Sequence, residues 1–215
     1  MSMSTLQPAI QATGLSFAFG GTKVLEEVSL DVPWGTVTAM TGPNGAGKST
    51  LVELLAGVLS PQDGVIERAA DVALVVQRPA APETLCVTVR DVVTMGTWGD
   101  RRHGRGPRSA RERARIAGLA IARVEMGGLE RRPFSALSGG QRQRALLAQG
   151  LARSAEILIL DEPAAGLDTE SQGRTRRILA EEAARGIAVL CVTHDHADIA
   201  AADRVTRLDR GTIVS

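Results

Sequence analysis

The sequence predicts an α/β fold: a mostly parallel sheet covered by helices, an N-terminal antiparallel β part and a helical subdomain insertion. Three observations carry that prediction. Four short apolar runs, at residues 37–40, 72–76, 157–160 and 188–192, are nearly continuous rather than alternating. Strands buried on both faces read this way. Stretches of helical periodicity separate the runs, which is the order of an α/β chain. A glycine-rich segment stands between the first run and the first helix.

Taken in order, residues 10–32 differ from the rest. Leu15, Phe17 and Phe19, then Val28, Leu30 and Val32, recur with period two, the pattern of antiparallel strands. After the 37–40 run, a helix is expected over 48–58. A Pro/Gly turn at 60–64 precedes a short strand at 65–68. Residues 78–136 form a distinct, mostly helical middle: a Pro-containing start (Pro79, Pro82), a helix at 89–95, a loop at 98–107 and a helix at 109–125. Beyond it, Leu146, Leu147 and Leu151 mark a helix over 141–153, and a helix over 168–184 stops at Gly186. A last hairpin turns at Arg210-Gly211. The organisation expected is one domain over residues 1–215, with 1–77 and 137–215 forming the core and 78–136 the helical subdomain.

Composition narrows the function classes. A chain of 215 residues can bury a sizeable core. With 44% hydrophobic residues and a formal charge of +1, from 25 basic against 24 acidic residues, it reads as an ordinary globular protein. That balance argues against a basic nucleic-acid coat. No apolar run approaches the roughly 18 residues of a membrane span, and residues 1–14 lack the pattern of a signal peptide. A cytoplasmic protein is expected. Cys86 and Cys191 are then reduced thiols, and Cys191, inside an apolar run, a core residue. Phe17, Phe19, Trp34, Trp98 and Phe134 are all the aromatics, so any stacking platform comes from these five.

The segment Gly42-Pro43-Asn44-Gly45-Ala46-Gly47-Lys48-Ser49-Thr50 fits the P-loop pattern, in the strand–loop–helix context that pattern requires. Small residues let backbone N–H groups wrap a phosphate chain, and the helix N-terminus adds its positive end. Lys48 brings a charge to the β- and γ-phosphates, and Ser49 offers a hydroxyl to Mg²⁺. The spacing does not match the dinucleotide-binding glycine pattern. A second apolar run, 157–160, ends in Asp161 and Glu162. Asp161 reads as the Mg²⁺ partner and Glu162 as the catalytic base for an attacking water.

Leu137-Ser138-Gly139-Gly140-Gln141 resembles the signature of the ATP-binding cassette (ABC) ATPases. Gln77 resembles that family's Q-loop glutamine, Gly166-Leu167-Asp168 its D-loop, and His194 its switch histidine. Phe19 is the best match to the aromatic that stacks on adenine, though Phe17 and Phe19 share one strand face and both could be core. The family usually has Tyr there, and this chain has none. The resemblance runs from about Ile10 to Ser215. It implies an ABC ATPase fold and an ATPase using ATP and Mg²⁺, with Gln77 joining Ser49 and Asp161 around the metal. It also implies a head-to-tail homodimer in which Ser138, Gly139, Gly140, Gln141 and Asp168 act in trans. The further partners it implies are a separate membrane permease and, indirectly, a substrate-binding protein. The protein would then lie peripherally on the cytoplasmic face of the membrane.

Three further readings follow. Residues 88–96 look like cassettes serving zinc or manganese uptake, and iron-chelate cassettes carry a similar stretch. A soluble ABC ATPase acting on nucleic acid or ribosomes is the alternative of another class; such proteins usually carry two cassettes or a long coiled-coil insertion, and neither is evident here. His194, Asp195, His196 and Asp198 crowd together, but the reading favours His194 on phosphate and His196 and Asp198 at the start of an exposed helix, over a metal site. Residues 101–115 hold seven arginines against Glu112, a solvated face by default and a contact for anionic headgroups or an acidic permease loop by function.

Overall fold

The computed structural model describes residues 7–76, 86–98 and 108–214. Nine strands and six α-helices follow in the order β1 (Ile10–Phe19), β2 (Thr22–Val32), β3 (Val37–Thr41), α1 (Lys48–Ala56), β4 (Asp63–Arg68), β5 (Val72–Val75), α2 (Val89–Met95), α3 (Ala110–Arg123), α4 (Gly139–Ala152), β6 (Ile157–Asp161), α5 (Thr169–Ala184), β7 (Ala188–Val192), α6 (His196–Ala201), β8 (Arg204–Asp209) and β9 (Thr212–Val214) among the described residues. An antiparallel sheet runs β2-β1-β4, and a second sheet runs β5-β6-β7-β3-β8-β9, parallel except for the β8–β9 hairpin.

The four apolar runs lie in the parallel sheet for a physical reason. In β6, Ile157 and Ile159 join one core, with α1 and the antiparallel strands, while Leu158 and Leu160 join the other, with α2, α3, α4 and α5. Both faces of the strand are dry, so alternation has nothing to distinguish. In β1 the alternation is real: Leu15 and Phe17 are buried and Ser16 and Ala18 are not.

Among the described residues, five of the six α-helix starts are set by side-chain caps. Thr88 and Asp91 form a capping box on α2, Ser138 and Gln141 form one on α4, and Ser109, Asp168 and Asp195 cap α3, α5 and α6. The Ser138 cap explains why α4 starts at Gly139, two residues before the expected position. Helix α1 ends at Ala56 rather than 58 because Gly57 turns into the left-handed region and its N–H closes back on the carbonyls of Glu53 and Leu54. Gly96, after α2, is required by contact: a Cβ there would lie 2.0 Å from the Gln149 carbonyl oxygen of α4. Helix α4 thus joins α2 and α3 to the parallel sheet. Residues 77–85, with Gln77, Pro79 and Pro82, and residues 99–107 lie outside the described residues, so the Q-loop assignment, the Pro-containing start and most of the arginine-rich loop are not located; Arg108 precedes α3, and Arg111, Arg113 and Arg115 lie in its first turns.

Candidate functional site

The C-terminal ends of β3, β6 and β7 open on one side of the sheet. Residues leaving them are the 42–47 loop, the Asp161-Glu162 pair and the Thr193-His194 segment. Parallel strands put all their C-termini together, and ligands of such sheets bind there. A groove of about 530 Å³ lies at this edge, walled by Phe19, Asn44, Lys48, Ser49, Asp161 and Glu162 among others.

Helix α1 is the one described α-helix with no side-chain cap; Gly47 precedes it with φ +99°. A side chain at Gly47 would strain that backbone, and its Cβ would meet Leu25 Cδ2 at 2.8 Å and the Val24 carbonyl at 2.9 Å. The N–H groups of the first turn are therefore left to a ligand, in the orientation an anion needs. Lys48 is buried and folds over the loop, its Nζ donating to the carbonyls of Gly42 at 2.8 Å and Pro43 at 2.9 Å. Gly42 packs against β8 so closely that a Cβ would fall 2.0 Å from the Leu208 oxygen. These contacts hold the loop in shape.

Ser49 Oγ donates to Asp161 Oδ2 at 3.2 Å, across 112 residues of sequence. Burial, with the Glu162 charge adding to it, pushes the Asp161 carboxyl above its ordinary range, while the Ser49 hydroxyl and the Lys48 ammonium pull it down. Two oxygen donors with a partly desolvated carboxylate suit a hard divalent cation such as Mg²⁺. Glu162 has φ +49°, rare for a residue with a side chain, and its N–H donates to the Val192 carbonyl at 3.1 Å. That turn leaves the carboxylate 3.5 Å from His194 Nδ1.

The sequence-predicted residues divide into two groups. Phe19, the 42–50 segment, Asp161, Glu162 and His194 gather at the groove. Phe17 is 8% exposed and Phe19 53%, with the rings edge to face at 4.9 Å, so only Phe17 is core and Phe19 projects to the groove. Ser138, Gly139, Gly140, Gln141 and Asp168 do not wall this groove. They share another corner: Asp168 accepts from the Ser171 N–H at 2.9 Å and hydroxyl at 2.8 Å, and a Cβ on Gly140 would lie 2.4 Å from Ser171 Oγ. Those two hydrogen bonds hold the Asp168 carboxyl below its ordinary range.

One sequence expectation changes. Asp198 does not begin an exposed helix surface: its side chain is 14% exposed and bound to Arg176 and Thr193. His196 is exposed as expected. Val24, which joins Phe19 on the wall of the groove, and Arg176 were not singled out by sequence, and no local signal marks them. Cys191 is buried, and burial raises its thiol pKa. Among the described residues no helix is long and apolar enough to cross a membrane, and no group of three or more acidic, His or Cys residues is placed to hold a metal ion.

A loop-wrapped helix N-terminus, a buried lysine over it and a strand-end carboxylate against the following serine define a P-loop ATPase. The family model described as ABC transporter matches residues 25–165, and the chain belongs to that family as an ATP-binding, ATP-hydrolysing subunit. A hemin import ATP-binding protein of Streptomyces coelicolor is 41% identical over 220 residues, spanning 95% of this chain and 76% of that protein. A zinc transport system ATP-binding protein of Treponema pallidum is 37% identical over 221 residues, spanning 96% and 82%. A solved chain described as part of an inward-facing metal-chelate type ABC transporter superposes with TM-score 0.86 at 29% identity, covering 97% of this chain and 82% of that one.

Proposed function

We propose that the chain powers uptake of a metal-containing solute through a separate membrane permease, as a head-to-tail homodimer that binds two MgATP. One observation carries this reading: phosphate-binding and catalytic groups converge on one groove, while the signature residues Ser138, Gly139, Gly140 and Gln141 lie at a different corner of the same chain. A second copy brings the two together.

In this reading Phe19 lies against adenine and the 42–50 segment holds the phosphates. Lys48 carries the charge opposite the β- and γ-phosphates. Ser49 and Asp161 hold Mg²⁺, which when bound neutralises charge on the phosphate oxygens; Gln77 is assigned beside them from sequence alone. Glu162 takes a proton from the water that attacks the γ-phosphorus, the bond to the β,γ-bridging oxygen breaks, and ADP and phosphate leave. His194 holds the γ-phosphate from the side of Glu162. The partner's Asp168 corner and signature cap the same phosphate. Permease attachment places the subunit on the cytoplasmic face of the membrane, with a substrate-binding protein as an indirect partner.

For the cargo, support for a hemin-like iron chelate comes from the 41% identical relative. A bare zinc or manganese ion is the second reading, supported by the 37% identical zinc relative and by the likeness of residues 88–96. The test is Glu162→Gln purified from native membranes with MgATP. A dimer by light scattering, accompanied by a multi-span permease, is the expected result. A monomer at saturating MgATP would overturn the head-to-tail site, and recovery with ribosomes alone would overturn transport. Vesicles holding the wild-type protein with that permease then separate the cargoes: accumulation of hemin but not zinc supports the first, and the reverse supports the second.

A further inference from the structure

His194 is 71% exposed at its side chain, and the one acidic side chain within 4 Å of its imidazole nitrogens among the described residues is Glu162. What fixes its position is therefore the chain on either side. Thr193, 6% exposed, donates its hydroxyl to Asp198 Oδ2 at 3.0 Å and accepts the Asp195 N–H at 3.1 Å. Asp195 Oδ1 accepts from the N–H groups of Ala197 at 2.8 Å and Asp198 at 3.1 Å. Both acids end on one guanidinium from another helix. Arg176 of α5 donates from Nε to Asp198 Oδ1 at 2.9 Å, and its Nη2 lies 2.8 Å from that oxygen and 3.6 Å from Asp195 Oδ1.

Packing does not replace this network. A cavity of about 300 Å³ lies between α5 and the strands β3 and β7, bounded by Arg176, Thr193, Cys191 and Asp198. This cavity is open to solvent and borders Thr193 and Asp198, so the polar contacts add to what packing supplies on that side. The same helix starts at the Asp168 corner beside Gly140.

We propose that Arg176 is a positioning residue for ATP hydrolysis, holding the His194 segment to helix α5 through Asp198 and Asp195. The proposal rests on the reading of His194 given above. A planar guanidinium can address both acids at once; an ammonium is a single point and serves one of them.

The test compares steady-state kinetics of the full-length protein in the assembly in which wild type hydrolyses ATP. Arg176→Ala should lower kcat by about 10–100-fold, the cost of a small misplacement near the reacting atoms, with KM for ATP within about twofold of wild type. Arg176→Lys should recover part of that loss, which keeps the proposal testable if the alanine variant folds poorly. In a His194→Ala background, adding Arg176→Ala should leave the residual rate unchanged, since the arginine acts through that residue. A wild-type kcat for Arg176→Ala, a matching rise in KM, or a further drop in the His194→Ala background would each overturn the proposal. Wild-type turnover by His194→Ala alone would instead overturn the role of His194.

Discussion

Two helix N-termini in this molecule look alike in sequence and differ in structure. Helix α1 begins after glycine with no side-chain cap. Helix α4 also begins at two glycines, but Ser138 Oγ accepts the Gln141 N–H at 3.3 Å and Gln141 Oε1 accepts the Ser138 N–H at 3.1 Å. The box leaves Gly139 and Gly140 as the first-turn donors it does not use. The first end is built to be capped by a ligand, and the second is already half satisfied by its own side chains. The difference teaches that the two ends are not equivalent: α1 leaves its first-turn donors to a ligand, whereas α4 satisfies part of its own with side chains.

The largest expected effect tests the α1 end directly. Lys48→Ala removes the buried cation that bridges Gly42 and Pro43, and ATP hydrolysis should fall at least about 100-fold. Phosphate release at the wild-type rate would remove α1 as the catalytic phosphate site. Gly140→Ala tests the other end. Its Cβ would press on Ser171 Oγ at 2.4 Å, an overpacking cost of about 1–3 kcal/mol. At about 2–4 °C per kcal/mol, the melting temperature should drop by several degrees. Turnover should fall with it, while nucleotide affinity measured on the monomer stays within about twofold of wild type. A weakened monomer affinity would mean that the two ends are coupled within one chain.

Phe19→Ala sharpens the picture of the groove. Base–aromatic stacking is worth about 1–3 kcal/mol, and the open edge of this site favours the lower end. KM for ATP should rise about fivefold at unchanged kcat. An unchanged KM would place the adenine elsewhere.

The smallest effect concerns Asp161. Its carboxyl is held above the ordinary range chiefly by burial, so the folded protein binds that proton more tightly than the unfolded chain does. The ionised form therefore costs stability, and the cost appears as pH rises from the unfolded carboxylate value, about 3.9, through the folded value. The group is half exposed, so screening keeps the effect small. Asp161→Asn should melt about 2 °C higher than wild type at pH 7 without Mg²⁺, and the difference should vanish below about pH 4. The same variant should lose the stabilisation that Mg²⁺ adds to bound ATP. A lower melting temperature at pH 7 would contradict the burial argument.

Much of the fold was legible because burial writes itself into local pattern. The runs at 37–40, 157–160 and 188–192 are strands, and the continuous apolar character of 157–160 follows from two cores on opposite faces. The P-loop was legible because its function is a local backbone shape. Other features left no such trace. Phe17 and Phe19 have the same periodicity, and only the end of the sheet decides that one is core and the other borders the groove. Asp198 reads as a polar residue on a short helix, and its pairing with Arg176 spans 22 positions.

The sequence by itself determined the local devices: a helix after a glycine loop, two acids at a strand end and the order of strands and helices. Each depends on neighbours within a few residues, where steric and hydrogen-bonding rules act directly. Only the tertiary structure decided which devices meet. Strand order β6-β7-β3 brings Asp161 to Ser49 across 112 residues and carries His194 in between, while the signature and Asp168 are sent to another corner. That choice is made by how two cores close on the faces of one sheet, a property of the whole chain that no short window contains.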